Sequence, residues 1–173
     1  IKYVINSEIT MWRAQSLFTK EPITIQWIRG FEPNSIFFDV GANVGMYSIF
    51  AACVSKALVY SFEPESNNYQ TLMENIILNN FSDKIIPYQI GLNNETLFTS
   101  LYLSSFKKGD SHHMVGEDLD HNLKKKKSTY RQGIFSTTLN ELIGNWNFPV
   151  PNYLKIDVDG IEYKIVSSGN DLF

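Results

Sequence analysis

Three short segments of this chain combine chemically capable residues with positions where a fold could use them. The first is Asp39-Val40-Gly41-Ala42-Asn43-Val44-Gly45, an Asp-x-Gly-x-x-x-Gly pattern that follows the apolar run Ile36-Phe37-Phe38. Glycines at a strand-to-helix junction let the backbone turn sharply and approach a ligand closely, and the helix that follows offers free N–H groups. The second is Glu63, which ends the apolar run Ala57-Leu58-Val59-Tyr60-Ser61-Phe62, 18 positions beyond Gly45. An acid at about that distance accepts hydrogen bonds from ribose hydroxyls in nucleoside-binding α/β folds. Glu63 therefore points to a nucleoside and leaves the reaction open. The third is Lys155-Ile156-Asp157-Val158-Asp159-Gly160-Ile161-Glu162. Asp157 and Asp159 fall at the carboxyl end of a buried strand, the edge at which open α/β sheets bind ligands. One of them could orient an acceptor or take its proton, and the pair could instead help hold a divalent ion; an acid capping the next helix is the plainer reading.

The glycine spacing narrows the ligand. A dinucleotide fingerprint asks for Gly-x-Gly-x-x-Gly, whose middle glycine clears space for a pyrophosphate. Here Asn43 stands between Gly41 and Gly45. S-adenosylmethionine carries a sulfonium, an amino acid and a nucleoside but no pyrophosphate, and it suits this loop better. Asp39, at the strand end, could serve an ammonium group or an ordered water.

To meet, these segments must be carried to one edge by alternating strands and helices. Residues 8–29 pattern as two helical segments divided at Glu21-Pro22, with proline in the first turn of the second. Strands are expected at 36–40, 57–62, 84–89 and 153–158, each short and dense in apolar residues, with helices at 44–54 and 66–79. Ser66 can cap the second of these helices. Ile161, Ile165 and Val166 give a final helix its inner face. The alternation predicts a three-layer α/β fold, with a central parallel sheet and helices on both faces. Residues 95–103 read as an edge strand or hairpin, 104–128 as a polar insertion, 130–136 as a further strand and 137–143 as a short helix. The whole chain, 1–173, is read as one domain with residues 1–30 as its N-terminal helical cover.

Composition limits the partners. The chain has 173 residues, 43% of them hydrophobic and 19% charged, enough for one core. A formal net charge of −3 gives no general attraction to nucleic acid or anionic membrane, and no apolar run reaches the roughly 18 residues that would span a bilayer. No secretory leader is visible, and the single cysteine, Cys53, excludes an internal disulfide. Both features fit a reducing, cytoplasmic compartment. Cys53 itself reads as a small core residue. His112-His113 and Lys124-Lys125-Lys126-Lys127 read as surface loop within the insertion, which could form part of a lid, and no metal site is expected. Trp12, Trp27 and Trp146 read as packing residues.

Taken together, Lys20-Glu21-Pro22 with Trp27, the block Phe38 to Gly45, Phe62-Glu63-Pro64, Thr138-Leu139 and the block Lys155 to Glu162 resemble the FkbM family of methyltransferases, in the family's order and over nearly the whole chain. The resemblance implies a Rossmann-like class I fold and an S-adenosylmethionine-dependent enzyme, usually an O-methyltransferase acting on hydroxyls of sugars or secondary metabolites. By position it implies that Asp39, Gly41, Ala42, Asn43 and Gly45 line the methionine side of the cofactor. It also puts Glu63 at the ribose, Ile90 and Gly91 near the adenine, and Asp157 at the transfer site. Two departures stand out. Leu139-Asn140-Glu141 replaces the family's frequent Leu-Asp-Asp or Leu-Asp-Glu, and the family's sheet continues beyond Gly160, so the chain reads as truncated at its C-terminus. Two rivals stay open: a nicotinamide-dependent oxidoreductase, and a nucleoside-binding module without catalysis. The acceptor, a small molecule or a glycan, and the oligomeric state are not legible.

Overall fold

The computed structural model describes residues 1–103, 105, 107–111, 114, 115 and 130–170. Its central sheet is built from β1 (Ile36–Val40), β2 (Leu58–Phe62), β3 (Ile85–Tyr88) and β8 (Tyr153–Ile156), all parallel, in the order β3-β2-β1-β8. The chain steps outward from β1 to β3 and returns on the other side of β1. The order therefore reverses between β1 and β8, the kind of switch point where such sheets open a ligand crevice.

Alternation along the strands divides the core in two. Phe37 and Val59 face one side, where they pack with Ile28, Ile49, Phe50, Leu72 and Ile76 from α2 (Pro22–Arg29), α3 (Met46–Val54) and α4 (Ser66–Leu78). Phe38, Val40 and Phe62 face the other, against Leu139, Leu142, Ile161 and Ile165. Those last residues belong to a wide turn at Glu141–Asn145 with the residues just before it, and to the segment that forms α5 (Glu162–Ser167). Helices thus cover both faces of a parallel sheet, as the alternation of strands and helices predicts.

The N-terminal segment is tied down as well as laid over. Val4 N–H donates to Asn75 Oδ1 at 2.7 Å, and Tyr3 Oη donates to the Met46 carbonyl at 2.9 Å. Next comes α1 (Glu8–Ser16), whose Ser7 and Thr10 form a reciprocal capping box.

Some elements depart from the sequence reading. Residues 97–103 and 130–137 pair with each other as antiparallel β5 and β7, and with β4 (Gly91–Leu92) and β6 (Met114–Val115) they form a second sheet, β4-β7-β5-β6. The expected short helix at 137–143 starts later, at Leu139, because Thr137 ends β7, and it then widens as Trp146 N–H bonds five residues back to the Glu141 carbonyl. Val166 is 44% exposed, since its position lies well round the helix from Ile161 and Ile165. Cys53 is exposed, because α3 buries Met46 and Ser48 to Ala52 and leaves Cys53 and Val54 facing outward. Most of the 104–128 insertion, including His112, His113 and Lys124 to Lys127, lies outside the described residues.

Ser66 is the first helical residue of α4, and the cap is Glu65. Its carboxylate accepts from the N–H groups of Asn67 (3.0 Å) and Asn68 (2.8 Å) while almost wholly buried. An anion at a helix N-terminus gains both the orphan donors and the macrodipole. Glu65→Ala is expected to lower stability by about 1–2 kcal/mol, measured by urea denaturation followed by circular dichroism.

Candidate functional site

The loop after β1 is held by its neighbour strand. The N–H groups of Gly41 and Ala42 both donate to the Phe62 carbonyl, at 3.0 and 3.1 Å. Gly41 has φ +75, and a Cβ there would run into the carbonyl oxygen of Asp157, so glycine lets the end of β8 close on the loop. Gly45 (φ +82) precedes α3, and its missing side chain makes room for Leu72. Asn43 also adopts positive φ, at 51°, where its side-chain oxygen accepts from the Val44 N–H at 2.9 Å.

Glu63 is 4% exposed and locked from both sides. One oxygen accepts from Asn43 N–H at 2.7 Å and the other from Glu65 N–H at 2.9 Å. Burial pushes its carboxyl up to about 7, against the opposing effect of those two hydrogen bonds. Each oxygen retains a second lone pair that can accept a hydroxyl.

Asp39 is 0% exposed. One of its oxygens accepts from Ser48 Oγ at 2.6 Å, and the other faces Lys155 Nζ at 3.4 Å. Lys155 reaches on to Asp157 at 3.1 Å, with the Tyr47 ring centroid 5.0 Å from its ammonium. The sheet register makes this possible, because Asp39 and Lys155 are direct partners across β1 and β8. Burial works against the Lys155 charge, but Asp39 and Asp157 outweigh it and raise its pKa. Burial would likewise raise Asp157, yet Lys155 outweighs it and holds this carboxyl below the usual range. Asp157 keeps 54% of its side chain exposed.

A cleft of about 590 Å³, open to solvent, lies over the carboxyl ends of β1, β2 and β8. Gly41, Asn43, Glu63, Ile90 and Asp157 line it, as do Phe62, Asn68, Leu92, Asp110, Asp159 and Ile161. Asp39, Ala42, Gly45 and Gly91 do not. Asp39 faces Lys155, Ala42 is buried among core side chains, Gly45 starts α3, and Gly91 pairs with Ser136 in the second sheet. Among the sequence-predicted residues, these four support the cleft from behind. Sequence reasoning missed Asn68, Leu92 and Asp110 as lining residues, and Lys155 as the cation that ties Asp39 to Asp157. Lys155 did carry a signal, standing two positions before Asp157 on the same strand face. Asp110 carried none, for it takes part through its carbonyl, which accepts from Asn43 Nδ2 (2.7 Å) and Asn68 Nδ2 (3.0 Å). Among the described residues no group of three or more His, Cys, Asp or Glu converges as a metal site, and no helix is long and apolar enough to cross a membrane.

Comparison with known proteins bears on family and fold. The profile of the methyltransferase FkbM domain matches residues 39–173. The hexuronic acid methyltransferase AglP of Haloferax volcanii is 24% identical over 169 residues, covering 95% of this chain and 62% of that protein. The chain thus spans less than two thirds of that relative's length. Among solved structures, a precorrin-6y C5,15-methyltransferase of Geobacter metallireducens superposes with a TM-score of 0.50 over 92% of this chain and 60% of its own, at 11% identity, a likeness of fold.

Two outcomes follow from the charges. Lys155→Met leaves Asp39 and Asp157 without their shared cation and is expected to cost about 3–5 kcal/mol. Adding Asp39→Asn should recover part of that loss, both being read by chemical denaturation. The raised Glu63 carboxyl fixes a sign of pH dependence. The folded protein keeps a proton there up to about pH 7, whereas the unfolded chain releases it near pH 4.3 (a roughly unperturbed value). This group's contribution is therefore fully present below the unfolded value and lost as pH rises through about 7. Glu63→Gln should flatten that part of the stability profile, measured by thermal denaturation at a series of pH values.

Proposed function

The chain belongs to the FkbM methyltransferase family, and from that premise we propose that it binds S-adenosylmethionine in the cleft over β1, β2 and β8 and methylates an oxygen of a sugar, with an acidic sugar or glycan as the favoured acceptor. The observation that carries the cofactor part of this reading is the charge of the cleft. Glu63, Asp110, Asp157 and Asp159 line it, and among the described residues no Lys, Arg or His does. Such a cleft suits a ligand with a sulfonium and an ammonium. It is a poor host for the pyrophosphate of a dinucleotide, which argues against the oxidoreductase alternative. The retained Glu63 and Asp157 argue against a binding module that has lost its reaction.

When bound, S-adenosylmethionine supplies a methyl group on a positively charged sulfur that needs no further activation. The protein's share is to bind and align. Glu63, already fixed by two backbone N–H groups, accepts the ribose hydroxyls. Phe62, Ile90, Leu92 and Ile161 offer the base an apolar slot. Asp157 is ionised beside Lys155. A carboxylate with a lowered pKa is a weak base. Its role is therefore to orient an acceptor hydroxyl or a cationic group through a hydrogen bond, while the hydroxyl proton leaves to water. Holding donor and acceptor in line supplies most of the rate.

The acceptor class draws support from the hexuronic acid named for the relative in Haloferax volcanii. The formal net charge of −3 supports a small-molecule or glycan partner over nucleic acid. A reducing, cytoplasmic setting suits a chain whose single cysteine is free.

Calorimetry tests the cofactor. The protein should bind S-adenosylmethionine and ignore NAD, with affinity rising as pH passes upward through about 7, where Glu63 ionises. Glu63→Ala should weaken binding about tenfold or more while circular dichroism stays unchanged. NAD binding without any response to S-adenosylmethionine would sink the proposal.

A further inference from the structure

A second, smaller cleft of about 260 Å³ lies beside the first, lined by Arg13, Ser16, Leu17, Lys20, Met46 and Tyr47. The two are adjacent through one cluster of groups. Tyr47 packs against the Lys155 ammonium that holds Asp157, and the charges of Asp157, Glu63 and Asp110 all act on Arg13. Arg13 is anchored by a single bond, Nε to the Gly109 carbonyl at 2.7 Å. Its two terminal nitrogens, with four N–H donors between them, have no hydrogen-bond or ion-pair partner among the described residues. Lys20, by contrast, shares its charge with Glu21 at 3.1 Å. Burial lowers the pKa of the Arg13 guanidinium, and the surrounding acids oppose that shift. A guanidinium remains charged throughout the physiological range.

We infer that Arg13, on the N-terminal helix, is a carboxylate-binding residue that complements the acidic cleft, taking a carboxylate through its terminal nitrogens. The inference rests on the reading of the cleft as a methyltransferase site. The physical reason is complementarity. Asp157 and Asp159 would repel a ligand carboxylate, so a ligand that carries one needs a fixed cation close by. A guanidinium fork whose Nε is already spent can still take one or both carboxylate oxygens through its terminal nitrogens. Two sources of that carboxylate are compatible with the geometry. One is the amino-acid end of S-adenosylmethionine, whose ammonium and carboxylate would meet Asp157 and Arg13 together. The other is the acid group of a hexuronic acid acceptor.

The test compares the intact wild-type protein with Arg13→Gln and Arg13→Lys. Calorimetry is run with S-adenosylmethionine and with 5′-methylthioadenosine, which lacks the amino-acid end. Methyl transfer is assayed with glucuronate-containing and glucose-containing acceptors. If the cofactor supplies the carboxylate, Arg13→Gln weakens S-adenosylmethionine about 10- to 100-fold and leaves methylthioadenosine unchanged. If the acceptor supplies it, both cofactor affinities hold and KM rises for the glucuronate acceptor alone. Arg13→Lys should recover part of either loss, because it restores charge without the fork. Equal behaviour of wild type and Arg13→Gln in every arm overturns the inference alone. So does a parallel loss of S-adenosylmethionine and methylthioadenosine, which would mean that Arg13 only anchors Gly109. A wild-type protein that binds neither nucleoside overturns the reading of the site, and this inference falls with it.

Discussion

Lys155 puts a positive charge at 9% exposure between two carboxylates, one wholly buried and one half in water. A lone ammonium in that position would cost several kcal/mol and lose its proton. Asp39 and Asp157 keep it charged, and in doing so they fasten the carboxyl end of β8 to that of β1. The same contact carries Asp157 to the mouth of the cleft. It also brings the Asp157 carbonyl so close to Gly41 that no side chain fits there. The loop after β1, the end of β8 and the acidity of the cleft floor thus meet at one buried ion pair and its second carboxylate, which the sheet register brings together.

Much of this was legible before any coordinates. The four strands of the parallel sheet announce themselves as short apolar runs, because a strand buried on both faces has no polar side to alternate with. Glu63 and Asp157 could be assigned to the ligand edge from their places at the ends of such runs. Asp39 was legible as important from its place at a strand end, but its partner was not: pairing of β1 with β8 sets it against Lys155. That pairing joins segments more than a hundred residues apart, and nothing local in either one encodes it. The second sheet stayed hidden for a similar reason. β5 and β7 find each other across a polar stretch whose composition gives no hint of register. The capping of α4 by Glu65 instead of Ser66 is a smaller case of the same kind, in which burial beside Glu63 and Asn68 decides between two adjacent candidates.

Glu63 and Asp157 illustrate how one cleft can hold two carboxylates in opposite states. Burial governs Glu63, and the backbone N–H groups around it do not fully offset that cost. A full positive charge governs Asp157. The first is therefore responsive near neutrality and the second is fixed. Two neighbouring carboxylates are thus pushed apart in pKa by environment alone, one by burial and the other by a cation.

The strap at residues 107–111 borders the cleft through Asp110 and Ser111, and three successive carbonyls hold it there. Lys108 accepts from Ser7, Gly109 from Arg13, and Asp110 from Asn43 and Asn68. All of the donors sit on the helical cover, the glycine loop and α4, while the strap contributes main chain. Main-chain carbonyls are the same in every residue type. With the exception of Gly109, whose positive φ and contact with Thr10 demand glycine, the strap's side chains can change without loosening this clasp. The accepting half of the clasp is thus indifferent to sequence, and its specificity rests on the donor side chains of Ser7, Arg13, Asn43 and Asn68.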